Sequence, residues 1–381
     1  MANTLTALAP VAYSAAKEVS AEPFGLIDAI NTNFDDKGVA VGDTVYVPVA
    51  PTRSATDFTP AMTPTAGTDA TATSTAVQIT ASKVVSWNIT GEQERSLLNS
   101  DADKTWFSQM LAQGMRDLRN KAEAAAWAAT IAGASRAYGT AGTTPFASDL
   151  SALTNARKIL QDNGAPLADL SLVIDTNAGL NLRNLGVLQN FYQAGTDQER
   201  RSGNFLLQMG FNIRESAQVS TKTAGTASGA TTDSTGYAVG TTTLTLASAG
   251  TGTITAGDVI TFAGDSNKYV VTSGDTDVSN GGTITIAAPG LRIAMSAATK
   301  AITMIATWTG NVALERSAVV GIMRPPVMPA NPTIQQLVVS DPNGMSYLLL
   351  DIAGVGMRTM QLHLAYGFKT VNPEFSSIVL G

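Results

Sequence analysis

Few residues in this sequence could carry out acid–base or nucleophilic chemistry. His363 is the single histidine among 381 residues, and there is no cysteine. A Ser-His-Asp triad, a histidine-based metal site or a histidine general base would therefore have to use that residue. It lies in the alternating run Met360–Tyr366, which is typical of a strand, so we interpret it as a structural histidine. The missing cysteines exclude disulfides and thiolate metal sites.

Motifs for binding metals or nucleotides are incomplete. The segment from Asp275 to Gly281 resembles a calcium loop, but the glycine position holds Asn280 and the twelfth position is Ile286 instead of a bidentate Glu. We interpret it as a hairpin turn. Gly354-Val355-Gly356 lacks the rest of a dinucleotide fingerprint. The sequence therefore predicts no catalytic, cofactor-binding or metal residues, and we expect a protein that is not an enzyme.

Composition narrows the class of protein further. Hydrophobic residues make up 44% of the chain and charged residues 14%, which is typical of a folded chain with few charged residues on its surface. The net charge of −6 argues against electrostatic binding of nucleic acid by the protein surface as a whole. No window approaches about 18 consecutive apolar residues, and the first residues lack the order of a signal peptide. We expect a cytoplasmic product that does not enter a membrane.

The stretch from Asp101 to Ala132 is the longest element that could position other parts of the chain. Its apolar and small residues recur at helical spacing, Asp101 and Asp103 suit an N-cap, and Gly133 suits a C-cap. A helix from Lys104 to Ala132 would be roughly 43 Å long at ~1.5 Å per residue. This stretch alone favours a long core helix of an α+β enzyme. The alternative is a spine along an elongated subunit, and the flanking segments must decide.

Two segments before this helix have little core of their own. Residues 1–38 read as an N-terminal arm with short helical pieces. Residues 39–90 contain two strand-like runs, Val45–Val49 and Val77–Ile89, around a long tip rich in Thr, Ala and Pro. An extended two-stranded arm is not stable alone in water, so we predict that it reaches onto a neighbouring subunit.

The remainder of the chain consists of α/β regions that are separated by a segment rich in Thr, Ser and Gly. Residues 91–145 hold the long helix, and 146–219 form an α/β region with a helix at Asp149–Gln161, capped by Ser148, and a buried strand at Leu170–Ile174. Residues 220–300 are rich in Thr, Ser and Gly, with short strands at about ten-residue spacing, which predicts an inserted small β-barrel. Residues 301–381 complete the α/β part.

The order of these segments resembles the major capsid proteins of tailed phages with the Hong Kong 97 fold, in the P-twenty-two-type branch with a telokin-like insertion. Two stretches, TVYVPVAPTRSATDF and VQITASKVVSWNIT, resemble the two strands of that family's E-loop. LTNARKILQDNGAPLADLSLVIDTNAGLNL resembles its helix–strand–helix, and NFLLQMGFNIRESAQVSTKTAG the segment before the insertion. NVALERSAVVGIMRPP and MRTMQLHLAYGFKTVNPEFSSIVLG resemble its last strands. The resemblance covers nearly the whole chain.

The resemblance implies an α+β fold with N-arm, E-loop, spine helix, P and A domains and an inserted β-barrel. It implies self-assembly, as hexamers and pentamers, into an icosahedral shell around double-stranded DNA without sequence-specific binding. Scaffolding and portal proteins are the implied partners, and the virion the location, after synthesis in the host cytoplasm. The candidate inter-subunit contacts are Arg53, Asp57, Phe58, Arg200 and Arg201.

The sequence departs from that branch in its insertion, which is short and lacks a long charged hairpin. The insertion could bridge capsomers or support folding of the subunit, and the departure favours the second role. Two other functions remain open: a surface adhesive or carbohydrate-binding β-rich protein, suggested by the Thr-rich segment, and an enzyme with an unrecognised site. Particle size separates them, because neither alternative predicts a closed shell.

Overall fold

A computed structural model describes residues 9–20, 22, 24–33, 40–49, 55, 57, 60, 73–98, 103–186, 207–328, 334–341 and 345–381. The α-helices are α1 (Ala9–Ser20), α2 (Gly91–Leu98), α3 (Asp103–Gly133), α4 (Ser151–Asp162) and α5 (Thr176–Asn184). The strands before α4 are β1 (Asn31–Asn33), β2 (Thr44–Val49), β3 (Thr73–Gln78), β4 (Ala81–Thr90) and β5 (Arg136–Tyr138). The next are β6 (Leu170–Ile174), β7 (Leu207–Gln208), β8 (Phe211–Glu215), β9 (Thr221–Lys222), β10 (Thr243–Leu246), β11 (Val259–Phe262), β12 (Lys268–Ser273) and β13 (Gly282–Ile286). The last are β14 (Ile302–Met304), β15 (Trp308–Glu315), β16 (Val319–Arg324), β17 (Ile334–Ser340), β18 (Ser346–Ala353), β19 (Met357–Thr370) and β20 (Ser376–Leu380). Five helices and twenty strands in the described part confirm the predicted α+β class.

Helix α3 is long enough to pack against two separate hydrophobic cores, one with each half of its length. Its first half packs with α1 against β17, β18 and β19. Its second half, through Trp127 and Ile131, packs on β12 and β15. The stripe that it buries is Phe107, Leu111, Met115, Leu118, Ala122, Ala126 and Trp127. One helix therefore fixes the relative position of two sheets.

Strand β19 is the centre of a six-stranded sheet ordered β1-β16-β19-β18-β17. Strands β18 and β16 pair with successive parts of β19 on one side, and β4 pairs with it on the other. The β1–β16 pair is parallel, whereas the others are antiparallel. Strand β17, which follows a proline-rich segment, was not predicted.

The second sheet joins the Thr-rich segment, residues 220–300, to the rest of the chain. Its order is β10-β13-β12-β5-β20-β15-β6-β8-β7, with β9, β11 and β14 attached at its sides. Strand β12 pairs with β5 at Lys268↔Ala137 and Tyr269↔Arg136, so backbone hydrogen bonds link this segment to a strand outside it. The segment also has a core of its own, which includes Leu244, Ile260, Phe262, Val271, Ile284 and Ile286. That this segment is an inserted β-barrel stays a prediction.

The predicted start of one helix was wrong. Helix α4 begins at Ser151 and not after Ser148, because the Asp149 carboxylate accepts a 2.8 Å hydrogen bond from the Ser151 N–H two residues on.

Trp106 on α3 is 38% exposed. It lies one position, about 100°, away from the buried stripe that starts at Phe107, and its ring meets Phe107 edge-on.

Candidate functional site

The hairpin of β2 and β3 is a two-stranded sheet, and in the described part of the chain its strands pair with each other alone. The register runs from Thr44↔Gln78 at the base to Val49↔Thr73 toward the tip. At the base, Val77 packs with Val320, Ile322 and Ala365 of the six-stranded sheet. The hairpin is therefore anchored at its base, and beyond the base its two strands pair only with each other among the described residues.

The two faces of β2 differ in exposure. Val45, Val47 and Val49 are half-buried, whereas Tyr46 between them is 67% exposed. An exposed aromatic side chain on an isolated hairpin is typical of a contact surface, because Tyr offers a large apolar area with a polar end. Tyr46 was not among the predicted contact residues, although the alternation of Val45–Val49 was visible in the sequence.

The returning part of the hairpin differs from its predicted form. The run Val77–Ile89 was interpreted as one strand, but it breaks at Ile79–Thr80 into β3, which belongs to the hairpin, and β4, which belongs to the six-stranded sheet. At the break the chain passes over Gly367, where a Cβ atom would lie 2.0 Å from the Gln78 carbonyl oxygen. Lys369 holds the same crossing by donating a 3.1 Å hydrogen bond to the Ala76 carbonyl.

Of the five predicted contact residues, Asp57 lies in the described part of the chain, where it is exposed. The other four, Arg53, Phe58, Arg200 and Arg201, lie outside the described residues. Their role as inter-subunit contacts stays a prediction, and so does that of Asp57.

The arm is held to α3 by a row of charged residues. Arg116 donates to Glu18 at 2.8 Å and to Glu22 at 2.6 Å. Glu123, two turns further, accepts from the backbone N–H groups of Gly25 and Leu26, each at 3.2 Å. In the sequence, Arg116, Arg119 and Lys121 form a short charge cluster, which predicts a solvated face or an inter-subunit ion pair. The ion pairs of both arginines lie within the chain. Arg116 pairs with the arm and reaches solvent, whereas Arg119 is buried.

Arg119 is the most enclosed member of this row. Its side chain is fully buried, with Asp28 at 3.1 Å and Asp341 at 3.7 Å, and its guanidinium lies 3.4 Å from the centroid of the Phe24 ring. Burial raises the pKa of the nearby Tyr347 phenol, and the Asp341 carboxylate adds to the rise. The arm, the spine helix and the loop after β17 therefore meet at one buried cation.

His363 has the environment of a structural residue. It is buried in β19, opposite Val84 of β4 and Leu348 of β18, and its Nε2 lies 3.1 Å from the Gln361 Oε1. Burial lowers the pKa of the imidazole, which favours its neutral form. Among the described residues, no group of three or more acidic or histidine side chains could hold a metal ion. A search of the described helices found none that is both long and apolar enough to cross a membrane.

Lys83 is the lysine nearest to the hairpin tip in the returning strand, and it bears on covalent cross-linking. The stretch from Ala50 to Ser82 contains no lysine. Lys83 lies in β4, where it is exposed opposite Leu364, within a strand that pairs along its whole length with β19. A lysine on a fixed strand cannot follow a loop onto a neighbouring copy.

The resemblance to phage capsid proteins implies particles, and we expect any such particles of this chain to lack self-catalysed cross-links. Boiled, denatured particles should run as a single band of 39.4 kDa on a gel. A ladder of covalent multimers would contradict this prediction, and the same sample carrying Lys83→Gln would then show whether Lys83 forms the link.

Comparisons with known proteins give structural likenesses. No family model matches the chain, and no curated protein matches it. Its structure is similar to the capsid of cyanophage P-SCSP1u, with 12% identity, a TM-score of 0.49, and coverage of 94% of this chain and 88% of that one. It is similar to a structure from Mycobacterium phage Che8, with 13% identity, a TM-score of 0.47, and coverage of 89% and 84%. A virus-like particle protein from Pyrococcus furiosus has 8% identity and a TM-score of 0.44, with 97% of each chain covered.

Proposed function

We propose that this chain is a major capsid protein, many copies of which assemble into an icosahedral shell around the double-stranded DNA of a tailed phage. The observation that carries this proposal is the β2–β3 hairpin, which is anchored at its base and carries Tyr46 on its open face. A two-stranded hairpin is marginal in water without a surface to pack against. A second copy of the chain, repeated around a closed symmetry, supplies that surface for every hairpin.

The rest of the chain fits a mechanical role. Helix α3 and the buried charges around Arg119 tie the arm and both sheets into one body. Such a body can transmit load across a shell. The net charge of −6 gives weak repulsion from packaged DNA, so the genome is enclosed without adhering to the wall. In this proposal the copies form hexamers and pentamers, scaffolding and portal proteins are partners, and the location is the virion after synthesis in the host cytoplasm.

Electron microscopy of the purified full-length chain tests the proposal. We expect closed shells or sheets of hexamers, formed alone or after a scaffolding protein is added. Small particles that persist with the scaffolding protein present would contradict the proposal, because an adhesive protein or an enzyme has no reason to close into a shell.

The hairpin makes a sharper prediction. Tyr46→Asp places a charge on a surface that would be covered in the shell, and an unpaired charge at an interface costs several kcal/mol. We expect the yield of shells to fall by at least about tenfold, since each 1.4 kcal/mol is about tenfold in an equilibrium. Unfolding of the unassembled subunit should not change, because Tyr46 is exposed there.

Val239→Asp is the matched control, because Val239 is a similarly exposed apolar residue, 60% accessible, in the insertion. It introduces the same charge and should leave the yield of shells unchanged. Equal losses for both variants would mean that added charge, and not the hairpin, limits assembly.

A further inference from the structure

A pocket of about 360 Å³ lies at the junction between the insertion and the body. Its walls are β5, the helix α4 and the turn before β12. The cationic side chains in it are Arg136, Lys158 and Lys268, and each comes from a different wall. The lining also includes the carboxylate of Asp162 and hydroxyl and amide groups from Thr140, Asn155, Ser266 and Asn267.

Arg136 is nine-tenths buried, and some of its N–H groups donate no hydrogen bond to the described residues. Its Nη1 donates to the Asn267 side chain at 3.2 Å, and its Nη2 donates to Asn163 at 3.0 Å and to the Ile159 carbonyl at 3.3 Å. The Nε has no hydrogen-bond acceptor among the described residues. A guanidinium has five N–H groups, so two of them remain for another acceptor.

Positive charge in this region exceeds negative charge. Arg292 lies close enough to Arg136 to act with burial in lowering its pKa, and burial also lowers the pKa of Lys268. Two carboxylates oppose these four cations. Asp162 is 3.6 Å from Arg136 and partly exposed, and Asp265 accepts hydrogen bonds from Asn267 and Tyr269. A buried cation is stabilised by a bound anion that compensates its charge.

We infer that this junction pocket binds a phosphate-type oxyanion, held by Arg136, Lys158 and Lys268. The four cations and two carboxylates leave a net charge of +2 in this region, which complements the charge of phosphate, and the neighbouring hydroxyl and amide groups offer further donors. An arginine offers paired N–H donors to phosphate oxygens. Because β5 and α4 belong to the body and Ser266–Lys268 to the insertion, the bound anion would join the two parts. This inference does not depend on the proposed capsid function.

The test is calorimetric titration of the purified full-length chain with inorganic phosphate, with sodium chloride at equal ionic strength and pH as the reference. We expect saturable binding to phosphate and a thermal unfolding midpoint raised by roughly 2 °C at saturation. Phosphate that acts no differently from chloride would overturn the inference.

Lys158→Gln is the informative variant, because Lys158 is exposed on α4 and its loss should not disturb folding. We expect it to weaken phosphate binding by about tenfold. Lys121→Gln, at an equally exposed helical position on α3, should bind phosphate as the unmodified chain does. Equal phosphate affinity in the Lys158 variant and the unmodified chain would overturn the assignment to this pocket.

A short single-stranded oligonucleotide, added as a competitor, separates the two sources of phosphate. Competition that disappears in Lys158→Gln would assign the pocket to nucleic-acid phosphates, and absence of competition to the free ion. Either result upholds phosphate recognition there, whereas competition that persists in the variant overturns it.

Discussion

Arg119→Ala should lower the free energy of unfolding of the subunit by about 3–5 kcal/mol. The substitution removes a fully buried cation that faces the carboxylates of Asp28 and Asp341. The effect comes mainly from Asp341, whose side chain is fully buried, because Asp28 is 25% exposed and also has Arg214 at 3.7 Å. It also removes the guanidinium from the Phe24 ring, which lies in the arm. Urea unfolding of unassembled subunits, followed by tryptophan fluorescence, measures the loss.

Arg116→Ala is the matched control for this prediction. Arg116 lies one turn before Arg119 on α3 and also pairs with two acids of the arm, but its side chain and those of Glu18 and Glu22 reach solvent. Partly exposed ion pairs contribute about 0–1 kcal/mol, so this variant should unfold close to the unmodified subunit. Similar losses for both arginines would show that burial of Arg119 is not the cause.

A double-mutant cycle with Asp341→Asn tests whether the loss comes from the contact between Arg119 and Asp341. Asp341→Asn removes one negative charge from the site and retains a side chain of the same shape. In a double-mutant cycle, the loss from Arg119→Ala should be smaller in the Asp341→Asn background, because less charge then lacks its cation. Additive losses would contradict a direct interaction.

Elements with a strong local pattern could be predicted from the sequence. The stripe of small and apolar residues predicted the bounds of α3 to within one residue, and the predicted strand Leu170–Ile174 has the bounds of β6. Both segments are long or uniformly apolar, so their burial follows from their own residues. The short strands β10 to β13 were likewise recognised from the Thr- and Ile-rich runs between glycine turns.

Features that depend on distant residues could not be predicted in this way. The two partners of Arg119 lie 91 and more than 200 residues away in the sequence, so the local pattern indicated a surface charge cluster and not a buried ion pair. The split of Val77–Ile89 into β3 and β4 is set by a crossing over β19, and the local alternation has no break that reveals it. The junction pocket likewise needs three walls that meet in the folded chain. Contacts between residues that are distant in the sequence determine these features, and the periodicity of apolar residues along the chain does not indicate such contacts.

Gly367→Ala should change the direction of the hairpin and with it the ability to assemble. A Cβ atom at Gly367 would lie 2.0 Å from the Gln78 carbonyl oxygen and 2.9 Å from the Ile79 Cα. Both are backbone atoms, so no side-chain rotation relieves the contact, and the crossing between β3 and β4 has to move. We expect a loss of about 1–3 kcal/mol in subunit stability and a larger effect on the yield of shells.

The larger effect on assembly follows from the position of the crossing. A small shift at Gln78–Ile79 is carried along the hairpin, so Tyr46 and the tip move further than the base does. Gly91→Ala is the control, because an added Cβ there meets no atom within 4 Å and the residue lies at the other end of β4. We expect Gly91→Ala to assemble like the unmodified chain. Normal shells from Gly367→Ala would show that the hairpin tolerates reorientation, and would remove the hairpin as the element on which assembly depends.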